Sequence, residues 1–325
     1  MAKNSGYYLG FDLGGTKMLA TIFDPDFNIV ASVKKKTKME VGQDEGMKRV
    51  AACIDEVLDS AKIKKGQLRG IGFGLPGVLD IQGGRIVRLL NVGWEDVPIR
   101  AIFEEAYGAP VVIDNDVNTG TYGEYRRGAG QGRQDIIGIF PGTGSGGGIL
   151  INGRLHHGVT GGAGEIGHLL YDPSGPRCGC GNRGCYETYA SRIAIAGRAA
   201  EAVFRGKAPA LQAEAGMDLA KMRSKALARS IEAGDEAIEE IVREAAYIVG
   251  VLACDMINTL SPGLVILGGG LVEAMEDLYL EECRRAISQH AVPELGAAVE
   301  VVAAILGDNA VVLGAAALAM DRPQD

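Results

Sequence analysis

The sequence predicts an α/β fold built from two related domains. The chain has 325 residues, which is longer than a single hydrophobic core usually serves. An apolar strand, a glycine turn and a second strand occur in order at residues 7–24 (YYLGFDLGGTKMLATIFD). The same design recurs at residues 135–153 (DIIGIFPGTGSGGGILING). Strand-like and helix-like patterns alternate through the rest of the chain, which is typical of α/β proteins.

The first half continues with two helices and two strands. Apolar spacing predicts a helix over 44–62, and LRGIGFGLPGVLD at 68–80 indicates a strand that ends in a glycine-proline loop. PVVID at 110–114 is typical of a short buried strand, and a helix is expected over 118–127.

The second half is richer in helices. Helical patterns cover 187–205 and 235–258. GLVILGGG at 263–270 predicts a buried strand that runs into a glycine turn before another helix, and DNAVVLGAAALAM at 308–320 predicts a C-terminal helix. No long linker separates the two halves.

The composition limits the possible functions. Hydrophobic residues make up 47% and charged residues 23% of the chain, as in ordinary soluble proteins. The net charge of −8 disfavours a non-specific grip on nucleic acid or on an anionic membrane. The N-terminus lacks the apolar segment of a signal peptide, and polar residues interrupt the most apolar windows elsewhere. We therefore expect a cytoplasmic protein with neither nucleic acid nor membrane as a partner.

The two glycine turns indicate phosphate binding. Such turns expose several backbone N–H groups and permit a close approach, which suits a polyphosphate. The first loop, GFDLGGTK at 10–17, lacks the Walker A spacing. The second, at 142–147, satisfies G-x-G-x-x-G but continues as a strand, whereas a Rossmann fingerprint opens a helix. The H-R-D and D-F-G signatures of protein kinases are absent from the sequence.

Either glycine loop, taken alone, can be an ordinary hairpin turn. Two loops of matching design favour a nucleotide site. Asp12 in the first loop is a candidate for holding Mg²⁺ through water, because Mg²⁺ prefers carboxylate oxygen and keeps much of its hydration shell. The alternative is a buried acid that caps its own turn.

Six motifs together resemble the ROK family of bacterial sugar kinases. They are DLGGTK at 12–17, GLPG at 74–77, NDVN at 115–118, GTGSGGG at 142–148, EIGH at 165–168 and CGCGNRGCYE at 178–187. The resemblance implies a two-domain actin-like ATPase fold of the ribonuclease H-like type, with a ligand cleft between the domains. Residues 1–117 with 308–325 would form the smaller domain, and residues 118–307 the larger one.

The resemblance also implies roles for individual residues. Asp116 matches the catalytic base that takes the proton of the sugar hydroxyl; an isolated Asp-Asn-Asp would usually be a turn, and Asp114 is expected to be a solvated or capping acid. Asn91 lies in NVGW, where the family pattern N-L-x-W has leucine in place of valine. The sugar-binding set is Gly77, Asn91, Asn115, Asp116, Glu165, His168 and Glu187.

ATP with Mg²⁺ is the implied phosphoryl donor. The adenosine would lie on the glycines at 268–270, although a plain strand-to-helix connection is the other interpretation of that turn. The nucleotide-binding set is Asp12, Gly14, Gly15, Thr16, Lys17, Gly142, Thr143, Gly144, Gly268, Gly269 and Gly270.

The cysteine cluster at 178–185 predicts a metal site, since cysteines grouped in a reducing compartment are more often metal ligands than disulfides. Cys178, Cys180 and Cys185 supply three possible Zn²⁺ ligands, and His168, just upstream, would be the fourth of a closed structural site. Redox-active cysteines are the competing interpretation.

Three further cysteines and two histidines are assigned no chemistry. Cys53, Cys254 and Cys283 are expected to be small buried hydrophobes, and His156 and His157 are expected to be solvated surface residues.

These observations predict an ATP-dependent hexose 6-kinase, with glucose as the first candidate acceptor. The alternatives are a kinase for N-acetylmannosamine, N-acetylglucosamine, mannose or fructose, and a non-catalytic sugar sensor. ROK relatives include transcriptional repressors with an N-terminal helix-turn-helix domain, for which the sequence before Asp12 leaves no room. The resemblance further implies a homodimer or homotetramer.

Overall fold

The computed structural model describes residues 6–38, 42–89 and 93–322. Two five-stranded sheets and one three-stranded sheet form its β-structure. The strands are β1 (Tyr7–Leu13), β2 (Lys17–Phe23), β3 (Ile29–Lys36), β4 (Leu68–Leu75), β5 (Val78–Asp80), β6 (Arg85–Leu89), β7 (Trp94–Val97), β8 (Val111–Asn115), β9 (Ile136–Pro141), β10 (Ser145–Ile151), β11 (Arg154–Leu155), β12 (Leu264–Leu267) and β13 (Glu300–Ala303).

The two large sheets share one topology. Their strand orders are β3-β2-β1-β4-β8 and β11-β10-β9-β12-β13. In each, an antiparallel hairpin comes first. A later strand then pairs in parallel with the first strand of the hairpin, and another strand pairs in parallel with that one. This agreement confirms the predicted repeat, and it places the two glycine turns at equivalent positions of the two sheets.

Twelve α-helices are described. They are α1 (Gln43–Ala61), α2 (Ile99–Tyr107), α3 (Asp116–Arg127), α4 (Glu187–Ala190), α5 (Arg192–Phe204), α6 (Pro209–Ala215), α7 (Ser224–Glu232), α8 (Glu236–Leu260), α9 (Gly269–Ala274), α10 (Glu276–His290), α11 (Pro293–Ala298) and α12 (Ala310–Asp321). The single helix predicted over 187–205 is wrong, because Ser191 takes an extended conformation and its hydroxyl accepts from Ala194 N to begin a new helix. The helix predicted from 118 begins at Asp116, with Asn115 as its N-cap.

Helices α3 and α12 join the two large sheets. A buried cluster combines Leu19 of the first sheet and Ile266 of the second with Tyr122 of α3 and Val312 of α12. Glycines let the backbones approach closely: an added Cβ at Gly72 of β4 would lie 1.8 Å from Ala315 O of α12. The C-terminal helix therefore packs against the first sheet, as the resemblance implied.

The remaining structure covers the outer faces. Strands β5, β6 and β7 form the small antiparallel sheet, and the second core surrounds the long helix α8. Leu264 to Leu267 and the cysteines at 53, 254 and 283 are buried, as predicted. None of the described helices combines the length and apolar composition that a bilayer crossing demands. The domain boundaries stay a prediction.

Candidate active site

A cleft of about 290 Å³ opens beside the first glycine turn. Its walls include Asp12 at the end of β1 and Gly14, Thr16 and Lys17 of the turn, all four predicted from sequence. The other lining residues are Leu19, Lys34, Arg223 and Asp308. Burial, aided by the negative charges of Asp116 and Asp308, raises the pKa of Asp12 to about 7. The cleft thus holds a buried carboxyl group whose pKa lies near neutrality.

Asp116 is the first residue of α3, directly after β8. Asn115 caps this helix through its side-chain oxygen, which accepts from Val117 N at 2.8 Å and from Asn118 N at 3.3 Å. The Asn115 side chain also forms a hydrogen bond with the Asp116 carboxylate. Asp116 and Asn115 are each partly buried, so strand and helix together fix both side chains at one edge of the first sheet.

Burial also raises the pKa of Asp116, to about 6, opposed by the hydrogen bond from Val117 N. The charge of Glu165 contributes to the increase. Asp116 therefore interacts electrostatically with both Asp12 and Glu165. A carboxyl group whose pKa lies near neutrality can act as a general base.

Asp114 is occupied by other contacts. It is 2% exposed, and it accepts from Asn115 N at 2.7 Å, from Asn118 Nδ2 at 2.9 Å and from His157 Nε2 at 2.6 Å. The expectation of a solvated His157 is wrong, because its ring lies against this buried carboxylate and the contact raises its pKa. His156 is exposed, as expected. Asp114 therefore has a structural role, which leaves Asp116 as the candidate for catalysis.

The second glycine turn connects to α4 and α5. Gly142 N donates to Gly144 O at 2.8 Å, and Arg192 N donates to Gly142 O at 2.8 Å. Glu187 Oε2 accepts from Ser145 N at 3.0 Å. The Ser145 hydroxyl is buried and has no hydrogen-bond partner in the described part of the chain. This turn therefore keeps polar groups that a ligand can use.

The third glycine set lies beside the second turn. Gly268 is the N-cap of α9. Gly269 has φ +81°, and a Cβ added to it would lie 2.8 Å from Pro141 O, so only glycine fits there. Gly270 approaches Ser224 at the start of α7. The strand-to-helix turn predicted at 268–270 is thus confirmed, and it contacts the strand that leads into Gly142.

The cysteine cluster fits a zinc ion. One ligand atom each from His168, Cys178, Cys180 and Cys185 lies within 4.8 Å of the other three. Cys180 Sγ and Cys185 Sγ are 3.7 Å apart, and Cys178 Sγ lies 3.5 Å from His168 Nδ1. Ligands at about 2.3 Å around a tetrahedral Zn²⁺ are separated by ~3.8 Å, so the donor set and its spacing both match. Four protein ligands indicate a structural site rather than a catalytic one.

Glu187 and Glu165 link this cluster to the site. Cys178 Sγ lies 3.7 Å from Glu187 Oε1, and His168 Nε2 lies 3.8 Å from Glu165 Oε2. The structure thus brings together the predicted residues Glu165, His168 and Glu187, with Glu165 facing Asp116 as well.

Other predicted residues are less connected. Gly15 is exposed at the tip of its turn, with open space where a Cβ would stand. Gly77 has φ +85° and its nearest neighbours are Arg88 and Leu89 of β6. Asn91 lies outside the described residues.

Sequence reasoning missed three charged residues that line the cleft, Lys34, Arg223 and Asp308, and also Arg192 at the second glycine turn. Lys34 Nζ lies 2.5 Å from Asp308 Oδ2, which raises the pKa of Lys34 and lowers that of Asp308. None of the four stands in a glycine-rich motif, and only contacts between distant parts of the chain, such as Lys34 with Asp308 and Arg192 with Thr143, reveal them.

Known proteins are similar to this chain over nearly its whole length. The ROK family model matches residues 8–322. A glucokinase of Halalkalibacterium halodurans is 34% identical over 312 residues, which cover 95% of this chain and 93% of that protein. The ROK family glucokinase from Streptomyces griseus, solved in complex with glucose and AMPPNP, is 32% identical, with a TM-score of 0.85 and coverage of 98% of this chain and all of that one.

A regulator is also among the relatives. The xylose repressor of Bacillus subtilis is 29% identical, and the match covers 98% of this chain and 78% of the repressor. Kinases and repressors thus share the fold and much of the sequence. Full-length similarity, the family match and the two equivalent sheets agree: this chain belongs to the ROK family, whose sugar kinases have the actin-like ATPase fold.

Proposed function

We propose that the chain is an ATP- and Mg²⁺-dependent hexose 6-kinase with glucose as its preferred acceptor. One observation carries this proposal. Asp116, the first residue of α3, has a pKa raised to about 6 and interacts electrostatically both with Asp12 of the cleft and with Glu165 of the predicted sugar-binding set. These interactions support Asp116 as a base shared by the proposed donor and acceptor sites.

Each group has a defined task in the reaction. Asp116 accepts the proton of the 6-hydroxyl, whose oxygen bonds to the γ-phosphorus while the bond to the bridging oxygen breaks and ADP leaves. Asp12 would hold Mg²⁺, which would supply charge neutralisation at the phosphates. The Lys17 ammonium and the N–H groups of the two glycine turns stabilise the same charge from the protein side.

The sugar is oriented by the residues around the zinc cluster. Because His168 turns Nδ1 toward Cys178, its Nε2 is free to contact a sugar hydroxyl. Glu165 and Asn115 offer an acceptor and a donor near Asp116. Zinc at the four ligands would hold this loop in place, as an outer shell orients catalytic groups.

The activity test is a coupled assay of ADP release across glucose, mannose, fructose, N-acetylglucosamine and N-acetylmannosamine. We expect the highest kcat/KM with glucose. Asp116→Asn should bind glucose with wild-type affinity but lose about 10²–10⁴-fold or more in kcat. Turnover near the wild-type value in this variant would remove Asp116 from its role, and a higher kcat/KM with another sugar would change the acceptor.

The second candidate is a sugar-responsive regulator, which the similarity to a xylose repressor favours. It predicts sugar binding without ADP release, together with salt-sensitive DNA binding in a gel shift. Sugar-stimulated ADP release by the wild-type chain decides for the kinase.

A further inference from the structure

Two arginines, one at the cleft and one at the second glycine turn, have no acidic partner in the described part of the chain. Arg192, the first residue of α5, donates through Nη2 to Thr143 Oγ1 at 3.1 Å, beside the second glycine turn. Arg223 lines the cleft together with Asp12 and Lys17, and its Nε donates to Ala220 O at 3.1 Å. Within the described ranges, neither guanidinium forms an ion pair with a carboxylate.

Their neighbours on the same helices differ. Arg198 of α5 pairs with Glu244, and Arg229 of α7 pairs with Glu214. Arg192 is instead partly buried, and burial together with the positive charge of Arg223 lowers its pKa. Like charges in a partly desolvated place repel each other. An anion between them reverses the sign of that interaction.

The position of the arginine pair indicates which anion. Ser224, next to Arg223, approaches Gly270 of the turn assigned to the adenosine. Thr143, held by Arg192, belongs to the second phosphate loop. Arg223 therefore lies near the turn assigned to the adenosine, and Arg192 lies at the second phosphate loop.

We propose that Arg192 and Arg223 together bind the α- and β-phosphates of the donor nucleotide, the phosphates that are not transferred. This inference rests on the proposed kinase function. Arginine suits the task because its planar fork donates two parallel hydrogen bonds to phosphate oxygens. Contacts to groups that do not react bind the ground state and the transition state alike, so they lower the KM for the nucleotide and leave kcat nearly unchanged.

The test compares Arg192→Gln and Arg223→Gln with matched controls on the same two helices, Arg198→Gln and Arg229→Gln. Each variant loses one positive charge, so the net charge does not distinguish them. Calorimetry measures the dissociation constant of ADP in the presence of Mg²⁺, and separately that of glucose. We expect ADP affinity to fall about 10-fold or more in each test variant, since hydrogen bonds to charged groups contribute on this scale. Glucose affinity should not change.

Three further readouts separate binding from general damage. The melting temperature of each test variant without nucleotide should equal or exceed that of the wild type, because repulsion is removed. The KM for MgATP should rise with little change in kcat. Arg192→Lys, which keeps the charge but not the fork, should lie between the wild type and Arg192→Gln.

The outcomes are distinguishable. If the wild type binds ADP and the dissociation constants of both test variants lie within twofold of the wild-type value, the proposed role of the arginine pair is wrong while the kinase proposal stands. If the test variants lose affinity for inorganic polyphosphate but not for ADP, the assignment to nucleotide phosphates is wrong. If the wild-type chain neither binds ADP nor releases it from ATP, the kinase proposal and the arginine pair both fail.

Discussion

His168 Nδ1 lies 3.5 Å from Cys178 Sγ, and the other nitrogen of the same ring faces Glu165. One imidazole therefore belongs both to the cysteine cluster and to the predicted sugar-binding set. A change at the cluster should reach the sugar through this ring, since second nitrogens of metal-bound histidines transmit orientation in this way.

Cys180→Ser tests that coupling. Cys180 is the exposed member of the cluster, so its replacement leaves no buried cavity. We expect elemental analysis to give about one zinc per wild-type chain and much less in the variant, with a lower melting temperature and a higher KM for the sugar. Cys254→Ala, a buried thiol far along α8, is the control and should keep its zinc. Zinc-free wild-type protein, or a full zinc complement in Cys180→Ser, would contradict the assignment.

The pH dependence of catalysis follows from Asp116. A base must be ionised to accept a proton, so activity is lost as the pH falls through the pKa of that base. With a pKa of about 6 for Asp116 and about 7 for the neighbouring Asp12, kcat/KM for the sugar should decline below pH 7 with apparent values that belong to the pair. Circular dichroism at pH 5 controls for unfolding. A profile that stays flat down to pH 4 would exclude a perturbed base.

Asp12→Asn should make the protein more stable while it weakens catalysis. The folded-state pKa of about 7 lies above the unfolded value of 3.8, so the folded state binds the proton more tightly and loses stability as the pH rises between these values. Asparagine does not titrate, so the variant does not lose this stability. We expect the free energy of unfolding of the variant to match that of the wild type near pH 4 and to exceed it by about 1–3 kcal/mol at pH 8 without Mg²⁺. A functional carboxylate typically costs the wild type stability in this way.

Urea denaturation at the two pH values measures this difference. Exposed Asp59 on α1 provides the control, and Asp59→Asn should stay within about 0.5 kcal/mol of the wild type at both. A destabilised Asp12→Asn at pH 8 would mean that Asp12 caps its own turn instead.

The sequence predicts those features of the fold that depend on residues close together along the chain. The glycine turns between β1 and β2 and between β9 and β10 follow from apolar runs flanking glycine, and the position of Asp116 follows from a buried strand before a helix. The break at Ser191 was also readable, because a serine before a helical run is an N-cap signal. It was missed because the apolar spacing continues across it.

Long-range contacts were not accessible in this way. Nothing near His157 in the sequence announces Asp114, 43 residues away, and a lone histidine after a hairpin is usually solvated. Arg192 and Arg223 likewise resemble ordinary helix-end residues, and only the fold places Arg192 at Thr143 and Arg223 at the cleft. Such residues are found only when the packing of distant elements is known, and here two of them carry the proposed phosphate contacts.

The contact between α3 and α12, which joins the two sheets, depends on glycine at Gly314. An added Cβ there would lie 1.7 Å from Thr119 O, a backbone atom that cannot move aside alone. We expect Gly314→Ala to cost about 3 kcal/mol or more, although alanine is the better helix former. Gly120 on the facing helix is the matched control, because its nearest neighbour would be 3.7 Å away. Gly120→Ala should be neutral or stabilising by up to about 1 kcal/mol in the same urea experiment. Equal effects of the two substitutions would mean that helix propensity, and not the backbone approach between α3 and α12, sets the stability of this junction.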